Sequence, residues 1–261
     1  MPDFNDLNLK NWKESKIITD TFWYFPKREK KGKHSNFYHG NFIPQIVRQF
    51  ILRYTKRNET IFDPFLGGGT TAYEAENLQR NCIGIDLKDD LIKTIQENIT
   101  TKDNFIELLS VDSTQKETYQ KVNKILEKHK QKKVQLVILH PPYWNLIRFS
   151  DNKKDLSNIQ TMNEFFNKFS DVVKYSKELL EKNRYLAIVI MDMFKDNKFY
   201  PLGFHCMTTA IKQGLELRGI IVKSMKNSRG SIKYGASWRY KALESDHFVS
   251  NHEYIFIFKN S

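Results

Sequence analysis

Cysteine is scarce in this sequence, with two cysteines among 261 residues. Cys82 and Cys206 lie among apolar or helix-compatible neighbours, so we expect both to be reduced and buried rather than joined in a disulfide. No Cys-x-x-Cys pair occurs, and no group of His and Cys residues has the spacing of metal ligands. The sequence therefore predicts neither a disulfide framework nor a bound metal.

Long apolar runs are also missing. No segment approaches the roughly 20 apolar residues that a membrane-spanning helix needs. The first residues, Met1–Asp6, lack the positively charged stretch and apolar core of a secretion signal. These absences predict a cytoplasmic protein that makes no use of a membrane.

Acidic residues are too few to balance the basic ones. The chain has 42 Lys and Arg residues against 30 Asp and Glu, which gives a formal net charge of +12. Such an excess favours nucleic acid as a partner, although a Lys-rich solvated surface would give the same composition. The length and the hydrophobic content of 40% suit one compact domain.

Apolar runs of strand length alternate with stretches of helical periodicity over most of the chain. Residues 1–43 are polar and aromatic, with a basic run at Lys27–Lys33, and predict an irregular arm. A helix is predicted to begin at Pro44, and a single domain to extend over 44–261. Strands are predicted at residues 60–62, 82–85, 105–111, 134–139, 185–190, 219–223 and 253–259. Further helices are predicted at residues 71–78, 91–99, 117–128, 161–181 and 201–212.

This alternation predicts an α/β fold with a mostly parallel, seven-stranded sheet. No helical pattern is evident between the last two predicted strands, so we expect them to form an antiparallel edge. Four predicted strands end on a polar side chain, namely Asp63, Asp86, Asp112 and His140. Ligands of open α/β sheets bind at the carboxyl ends of the strands, so these side chains predict a binding site.

A glycine-rich turn follows the first of these strands. Gly67, Gly68 and Gly69 precede Thr70 and Thr71, where a helix is predicted to begin. Glycines permit a tight turn and a close approach of ligand to backbone, and amides at a helix N-terminus can bind an anionic group such as a carboxylate. The same residues would also serve as a plain strand-to-helix turn.

Asp86 and Asp112 close two further strands. Asp86 follows the glycine-rich turn at about the spacing, roughly 20 residues, at which an acidic residue accepts hydrogen bonds from ribose hydroxyls. Asp112 could accept from an adenine amino group. Because it is followed by Ser and Thr, it could equally cap the next helix.

The segment His140-Pro141-Pro142-Tyr143 follows a predominantly apolar strand. Two prolines fix the backbone and remove two N–H donors, which leaves carbonyl acceptors. Tyr143 offers a flat face on which a base can stack. The turn therefore predicts a site for a flat, amine-bearing substrate, with a rigid turn among core aromatics as the alternative.

These two motifs resemble those of the amino-methyltransferases of DNA, which modify adenine N6 or cytosine N4. Their cofactor motif reads Asp-Pro-Phe-x-Gly-Ser-Gly-Thr-Thr, and the chain matches it from Asp63 to Thr71 except at Gly68. Their catalytic motif begins with Asp, Asn or Ser, where this chain has His140. Segments 39–45 and 252–255 are also similar to the family, so the resemblance extends over about residues 34–259.

The resemblance implies a Rossmann-like S-adenosylmethionine (SAM) dependent methyltransferase fold and SAM as the cofactor. It implies a reaction in which the first residue of the catalytic motif and a proline carbonyl accept hydrogen bonds from the target amine of a base flipped out of duplex DNA. Membership of a restriction–modification system is expected. The implied catalytic residues are His140, Pro141, Pro142 and Tyr143. The implied cofactor residues are Phe42, Pro44, Asp63, Pro64, Phe65, Gly67, Gly69, Thr70, Thr71, Asp86 and Asp112.

His140 departs from the family pattern. A neutral imidazole has one acceptor nitrogen and could replace the carboxylate, or it could take a proton after transfer. It could also weaken catalysis, which would make the protein a SAM- and nucleic-acid-binding subunit of a homodimer or of a partner enzyme. The substitution removes the residue that would have indicated adenine or cytosine.

Two segments are the candidates for target recognition, at about residues 145–160 and 225–250. The second segment interleaves basic residues with aromatic ones, so that the basic residues can contact phosphates while the aromatic residues stack on or wedge between bases. Solvated loops are the alternative, and RNA is the alternative substrate. The predicted nucleic-acid contacts are Trp144, Arg148, Lys153, Lys226, Arg229, Lys233, Trp238 and Arg239.

Overall fold

The computed structural model describes residues 4–34, 40–41, 43–226 and 228–261, apart from the side chain of Arg229. Their strands are β1 (Phe22–Trp23), β2 (Thr60–Asp63), β3 (Asn81–Asp86), β4 (Ile106–Ser110), β5 (Val134–Leu139), β6 (Leu180–Ile190), β7 (Met193–Lys195), β8 (Lys198–Tyr200), β9 (Glu216–Ser224) and β10 (His252–Lys259). Their α-helices are α1 (Pro44–Tyr54), α2 (Thr70–Asn77), α3 (Asp89–Asn98), α4 (Lys116–Lys128), α5 (Met162–Leu179), α6 (Leu202–Lys212) and α7 (Arg229–Glu244).

The main sheet has the strand order β1-β9-β10-β6-β5-β2-β3-β4. Strand β10 is antiparallel to both of its neighbours, and the other pairs of strands run parallel. This arrangement confirms the predicted Rossmann-like α/β fold and the antiparallel pairing of the last two long strands. The sheet has eight strands rather than seven, because the short strand β1 joins its edge.

Helices cover both faces of the sheet. On one face Phe62, Val137 and Leu139 pack with side chains of α4, α5 and α6. On the other face Ile61 and Ile138 pack with side chains of α1, α2 and α3. Alternate residues of a strand point to opposite faces, so strands buried on both sides are apolar at every position. This is why β5 reads as an almost continuous apolar run in the sequence, in which Gln135 is the one polar residue.

The described part of the predicted arm, residues 4–34 and 40–41, packs against the domain. Trp23 of β1 is buried, and its ring packs 6.1 Å from that of Phe50 on α1. Strand β1 pairs in parallel with Val222 and Lys223 of β9. A two-residue strand has no periodicity to detect, and it forms here because the edge of β9 offers unpaired backbone groups.

Ion pairs bind the arm to α1 and α2. The carboxylate of Glu74 is fully buried, with its Oε1 2.6 Å from Nε2 of His34 and its Oε2 2.8 Å from Nε of Arg48. Arg48 also contacts Glu29 of the arm at 2.6 Å. Burial raises the pKa of Glu74, but the hydrogen bonds with His34 and Arg48 outweigh it and leave the pKa below its ordinary value. The arm is thereby held beside the glycine-rich turn.

Helix α7 occupies the segment that we expected to be a loop. Its N-cap is Ser228, whose hydroxyl accepts a hydrogen bond from the amide of Ser231. The apolar side chains Ile232 and Leu243 are exposed, so the helix lacks the continuous buried stripe that marks a helix in sequence. Within the described ranges, no helix is both long and apolar enough to cross a membrane.

Candidate active site

The predicted strand ends meet at one cavity of about 1490 Å³. Asp86 at the end of β3, Asp112 after β4 and His140 after β5 all line it. Asp63 at the end of β2 lies beside it, beneath the glycine-rich turn. The convergence follows from the parallel arrangement of β2, β3, β4 and β5, whose carboxyl ends share one edge of the sheet.

Asp63 shapes the turn rather than facing the cavity. Its carboxylate is fully buried and accepts from the amide of Phe65 at 2.9 Å and from the hydroxyl of Thr71 at 2.6 Å. Burial raises the pKa of Asp63 to about 7, although these two hydrogen bonds oppose the rise. We expected Asp63 and Thr71 to contact the cofactor directly. The structure instead gives them a role in holding the turn.

The amides of the glycine-rich turn already have protein acceptors. The Gly67 N–H donates to Oδ2 of Asp86 at 3.0 Å, and the Gly68 N–H donates to Oδ1 of Asn41 at 2.8 Å. Gly69 adopts a left-handed φ of 81° as the N-cap of α2, a conformation that favours glycine. The expectation that these amides bind a ligand carboxylate is thus corrected for Gly67 and Gly68.

Asp86 is the acidic group best placed for a ligand. Its Oδ1 accepts from the amide of Lys88 and its Oδ2 from the amide of Gly67, both at 3.0 Å. Each oxygen keeps a second lone pair, and the residue lines the cavity. Burial raises the pKa of Asp86 above its ordinary value, against the two amide hydrogen bonds that lower it.

Asp112 lines the cavity while its carboxylate is engaged in its own turn. Oδ1 accepts from both the amide and the hydroxyl of Thr114, at 2.9 and 2.8 Å. It is not the N-cap of α4, which is Gln115. The cavity is therefore bordered by a carboxylate that is fixed in orientation, which suits the predicted contact with a ligand amine without testing it.

The other predicted cofactor residues divide into two groups. Pro64, Phe65, Gly67 and Thr70 line the cavity. Pro44 is the buried first residue of α1, and Gly69 packs against Ile95 of α3, so neither lines the cavity. Phe42 lies outside the described residues.

The turn after β5 is closed by backbone hydrogen bonds. The carbonyl of Pro142 accepts from the amide of Trp144 at 2.8 Å, which occupies one acceptor that we expected to be available for substrate. Trp144 adopts a positive φ of 47° and is 7% exposed. Its indole N–H donates to the carbonyl of Ile159 at 2.8 Å. The predicted contact of Trp144 with nucleic acid is wrong, because this side chain is part of the core.

His140 belongs to a chain of polar side chains at the base of the cavity. Its Nε2 is 3.1 Å from the hydroxyl of Tyr143, which donates to Oε2 of Glu253 at 3.3 Å. Burial lowers the pKa of His140 to about 4, although the Glu253 carboxylate opposes this, so the imidazole is neutral at pH 7. Burial and Glu253 raise the pKa of Tyr143, which keeps the phenol protonated.

Three segments form the outer wall of the cavity. The hairpin of β7 and β8 turns at Asp196 and Asn197, both with positive φ, and contributes Phe194. Lys195 of this hairpin donates to Asn145, which braces the first recognition segment. In that segment Leu146, Ile147 and Lys154 line the cavity, together with Phe149 and Ser150.

Helix α7 is the third part of this wall. One face lines the cavity with residues at helical spacing, namely Ser231, Tyr234, Trp238, Lys241 and Ser245, and with Lys233 beside them. The ring of Trp238 lies 6.0 Å from that of Tyr234. The opposite face carries the exposed side chains of Ile232, Tyr240 and Leu243.

The predicted nucleic-acid contacts are therefore distributed unevenly. Lys233 and Trp238 line the cavity, while Lys153, Lys226 and Arg239 are exposed outside it. Arg148 is also exposed and pairs with Asp151 at 2.9 Å. The side chain of Arg229 lies outside the part of the chain that the structure describes.

Comparison with known proteins identifies the family. The profile of the DNA methylase family matches residues 4–97 and 134–261, which is most of the chain. The chain belongs to the DNA methylase family. The match covers the glycine-rich turn, the turn at His140 and the strands β9 and β10, and it confirms the resemblance seen in the motifs.

Curated relatives of the chain are similar over shorter segments. The Type II methyltransferase M.MjaII of Methanocaldococcus jannaschii is 34% identical over 30% of the chain and 16% of its own length. M.BglI of Bacillus subtilis is 29% identical over 38% of the chain and 27% of its own length. M2.LlaDCHI of Lactococcus lactis subsp. cremoris is 31% identical over 35% and 34%. The matched segments thus span about a third or less of these relatives.

Solved structures show the same fold. TrmN from Thermus thermophilus has a TM-score of 0.53 at 15% identity, covering 85% of the chain and 50% of that protein. A SAM-dependent methyltransferase from Methanosarcina mazei has a TM-score of 0.51 at 10% identity, covering 81% of the chain and 96% of that protein. The chain therefore has the Rossmann-like fold of SAM-dependent methyltransferases.

The structure accounts for the departure of the chain from the family's cofactor motif at Gly68. A Cβ at Gly68 would lie 2.9 Å from Cγ of Asn41 and closer still to its amide nitrogen. Asn41 is held there by the hydrogen bond from Gly68 N–H, and Arg28 donates to its carbonyl at 3.1 Å. A serine at position 68, as in the family motif, does not fit unless Asn41 moves.

Several residues at the cavity were not identified from the sequence as site residues, among them Asn41, Phe194, Lys223 and Glu253. Asn41 lies in the segment 39–45 that resembles the family, which was the signal for it. Glu253 and Lys223 are charged residues in apolar strands, where burial of a charge requires a partner. Phe194 precedes Asp196-Asn197, a recognisable hairpin turn.

Proposed function

We propose that this protein transfers a methyl group from SAM to the exocyclic amine of a DNA base, adenine N6 or cytosine N4. The observation that carries the proposal is that one cavity connects the Gly67–Asp86 region with the turn at His140. Its volume of about 1490 Å³ exceeds the roughly 300–1,000 Å³ of a site for one small molecule, so cofactor and base fit together. Family membership and Type II relatives support DNA as the substrate.

The residues near Asp86 fit the chemistry of SAM. The carboxylate of Asp86 can accept hydrogen bonds from ribose hydroxyls, as expected from its position at the end of β3. Leu87 and Val111, which line the cavity beside it, offer apolar surface for the adenine ring. When bound, SAM supplies an electrophilic methyl group on a sulfonium.

His140 would orient the target amine. A neutral imidazole can accept one hydrogen bond from an amine N–H, which turns the nitrogen lone pair away from His140 and toward the methyl group. Burial keeps His140 neutral, and a neutral acceptor does not repel the incoming amine. The amine loses a proton after transfer, and the basic form of His140 or water can take it.

The outer part of the cavity would receive the base. A base reaches a buried amine acceptor only after it leaves the duplex. Tyr234 and Trp238 on α7 offer aromatic surface there, and Lys233 and Lys241 offer positive charge for phosphates. The names of the Type II relatives support a role as the modification enzyme of a restriction–modification system, acting as a homodimer or with a partner subunit.

The test is to incubate the protein with isotopically labelled SAM and a DNA pool of mixed sequence, and to digest the product to nucleosides for mass spectrometry. We expect a labelled N6-methyladenine or N4-methylcytosine nucleoside. H140N keeps an acceptor and should retain part of the activity, whereas H140L removes it and should lower the rate on the order of 10²-fold or more.

Parallel reactions with total RNA distinguish the nearest alternatives. Label in RNA and none in DNA would replace DNA by RNA as the substrate. SAM binding without label in either pool would indicate a binding subunit, and gain of activity in H140D would support that outcome.

A further inference from the structure

Two buried charges on neighbouring strands lie behind the turn at His140. Glu253 of β10 and Lys223 of β9 are directly paired in the antiparallel register, and both are under 9% exposed. Nζ of Lys223 lies 3.1 Å from Oε1 of Glu253. A buried carboxylate is costly to keep ionised unless a cation compensates it, and Lys223 supplies that cation.

The direction of each hydrogen bond in this chain follows from simple donor counting. A carboxylate only accepts, so the Tyr143 hydroxyl must donate its single proton to Oε2 of Glu253. The phenol oxygen can then only accept from His140, 3.1 Å away. Nε2 of His140 must therefore carry the hydrogen, and in a neutral imidazole the lone pair then resides on Nδ1.

We propose that Glu253, charge-compensated by Lys223, is a positioning residue that acts through Tyr143 to hold His140 as its Nε2–H tautomer. Nδ1 is then the acceptor nitrogen of His140 toward the target amine, and this assignment rests on the proposed function. A carboxylate or amide at this position has an acceptor oxygen in any protonation state relevant at pH 7. A histidine accepts only in the correct tautomer, so the substitution creates a need for such control.

The opposite tautomer would defeat the proposed reaction. Nδ1–H would present a donor to an amine that itself must donate, and neither group could then orient the nitrogen lone pair. Tyr143 thus has a second role besides stacking. Because its hydroxyl donates to Glu253, its oxygen accepts from His140 and so determines which ring nitrogen carries the hydrogen.

The tautomer can be read without substrate or cofactor. In protein labelled with ¹⁵N-histidine, long-range ¹H–¹⁵N correlation spectra distinguish Nε2–H from Nδ1–H rings, and the H140N spectrum assigns the signal of His140. We expect the Nε2–H pattern at pH 7 in the wild type. An Nδ1–H or charged ring would overturn the proposal.

E253Q should reverse the direction of the hydrogen bonds that link residue 253, Tyr143 and His140, with little change in the shape of the side chain. Lys223 should attract the amide oxygen of the new side chain, which turns the NH₂ group toward Tyr143 and leaves the phenol to donate to Nε2. We expect His140 to shift to Nδ1–H in E253Q and to a mixture of tautomers in Y143F. E216Q, at an exposed glutamate of β9, is the matched control and should leave the spectrum unchanged.

Kinetics separate positioning from a structural role. If the proposed function holds, E253Q should lower kcat on the order of 10²-fold while the Kd for SAM and the KM for DNA stay within about two-fold. Unaltered tautomer and unaltered kcat in folded E253Q would overturn the proposal. A wild type that shows the Nε2–H ring but methylates nothing would instead refute the proposed function and leave the positioning role standing.

Should E253Q fail to fold, the wild-type and Y143F spectra still decide the case. Y143F removes only the hydroxyl, so a His140 that remains wholly Nε2–H in this variant would show that Tyr143 does not transmit the polarity of Glu253. That result would contradict the proposal as firmly as an Nδ1–H ring in the wild type.

Discussion

The side chain of Asn41 occupies the space that a side chain at position 68 would need. Its Oδ1 accepts from the amide of Gly68 at 2.8 Å, so the same contact that excludes a larger residue also satisfies the turn. The arm before α1 thus completes the glycine-rich turn, 27 residues further along the chain.

G68S should therefore destabilise this protein although serine is the family residue. The displaced Asn41 loses a hydrogen bond, and the Gly68 position keeps a buried amide, which together cost about 1–3 kcal/mol. Thermal unfolding and SAM titration measure the effect. In the N41A background the obstruction is gone, so adding G68S should cost less than it does in the wild type. Equal costs in both backgrounds would show that Asn41 is not the cause.

Asp63 should make stability depend on pH. Its pKa is about 7 in the folded protein against an ordinary value near 4, so the folded state holds a proton that the unfolded state has lost. The associated stability is fully present below the unfolded pKa and is lost as pH rises to about 7. Between pH 5 and 8 the loss is roughly 3 kcal/mol.

D63N should remove the loss of stability between pH 5 and 8, because the amide of asparagine does not ionise. Urea unfolding at pH 5 and pH 8 measures the difference for each protein. The exposed carboxylate of Asp90 provides the control, since D90N should keep the wild-type slope. Parallel pH dependences of D63N and wild type would mean that Asp63 titrates normally.

Asp86 should matter more for cofactor affinity than for folding. D86A removes a charged acceptor for ribose hydroxyls, and hydrogen bonds to charged groups contribute about 1.5–3 kcal/mol, which corresponds to roughly 10–150-fold in Kd. Calorimetric titration with SAM measures it. D89N, on the exposed first turn of α3, is the matched control and should bind SAM like the wild type. Unchanged SAM affinity in D86A would remove Asp86 from the cofactor site.

The two faces of α7 should contribute differently to DNA binding. W238A alters the face that lines the cavity, and loss of base stacking costs about 1–3 kcal/mol. I232A alters the opposite face, where Ile232 is 75% exposed, and should leave the affinity for DNA unchanged. The affinities of the two variants for DNA are compared by fluorescence anisotropy with a labelled duplex, in the presence of S-adenosylhomocysteine, the product that SAM leaves after methyl transfer. A larger loss in I232A than in W238A would place the DNA on the outer face.

The positive charge on the cavity-lining face of α7 should affect how the affinity for DNA depends on salt concentration. Each phosphate contact contributes a slope of about −0.9 in log K against log salt, so K233A should reduce the magnitude of the slope by about 1. K124A, on α4 and outside the cavity, is the control. Equal slopes for K233A and wild type would show that Lys233 contacts no phosphate.

The strands and helices around the site were largely predictable from periodicity. Strand β5 was placed at its observed limits, and α1 begins at Pro44 as expected. Both are decided locally, by a predominantly apolar run of strand length in the first case and by a helix-initiating proline before an amphipathic pattern in the second. The polar residues at the strand ends then met at one edge because parallel strands align their carboxyl ends.

Helix α7 and strand β1 were not predictable in the same way. Helix α7 buries little apolar surface, so its sequence lacks the stripe that distinguishes a helix from a loop. Strand β1 has two residues and exists because β9 lies beside it. Trp144 was misassigned for a related reason, since an aromatic residue next to a catalytic motif looks the same in sequence whether it faces core or solvent.

By itself the sequence determined the α/β fold, the order of the two motifs and the family to which the chain belongs. These depend on residue types and on short spacings. Tertiary structure alone decided that Glu253 meets Tyr143 across 110 residues and pairs with Lys223 in register. Such partners depend on strand order and on register, which are set by packing of the whole sheet, and we propose that they hold His140 in one tautomer.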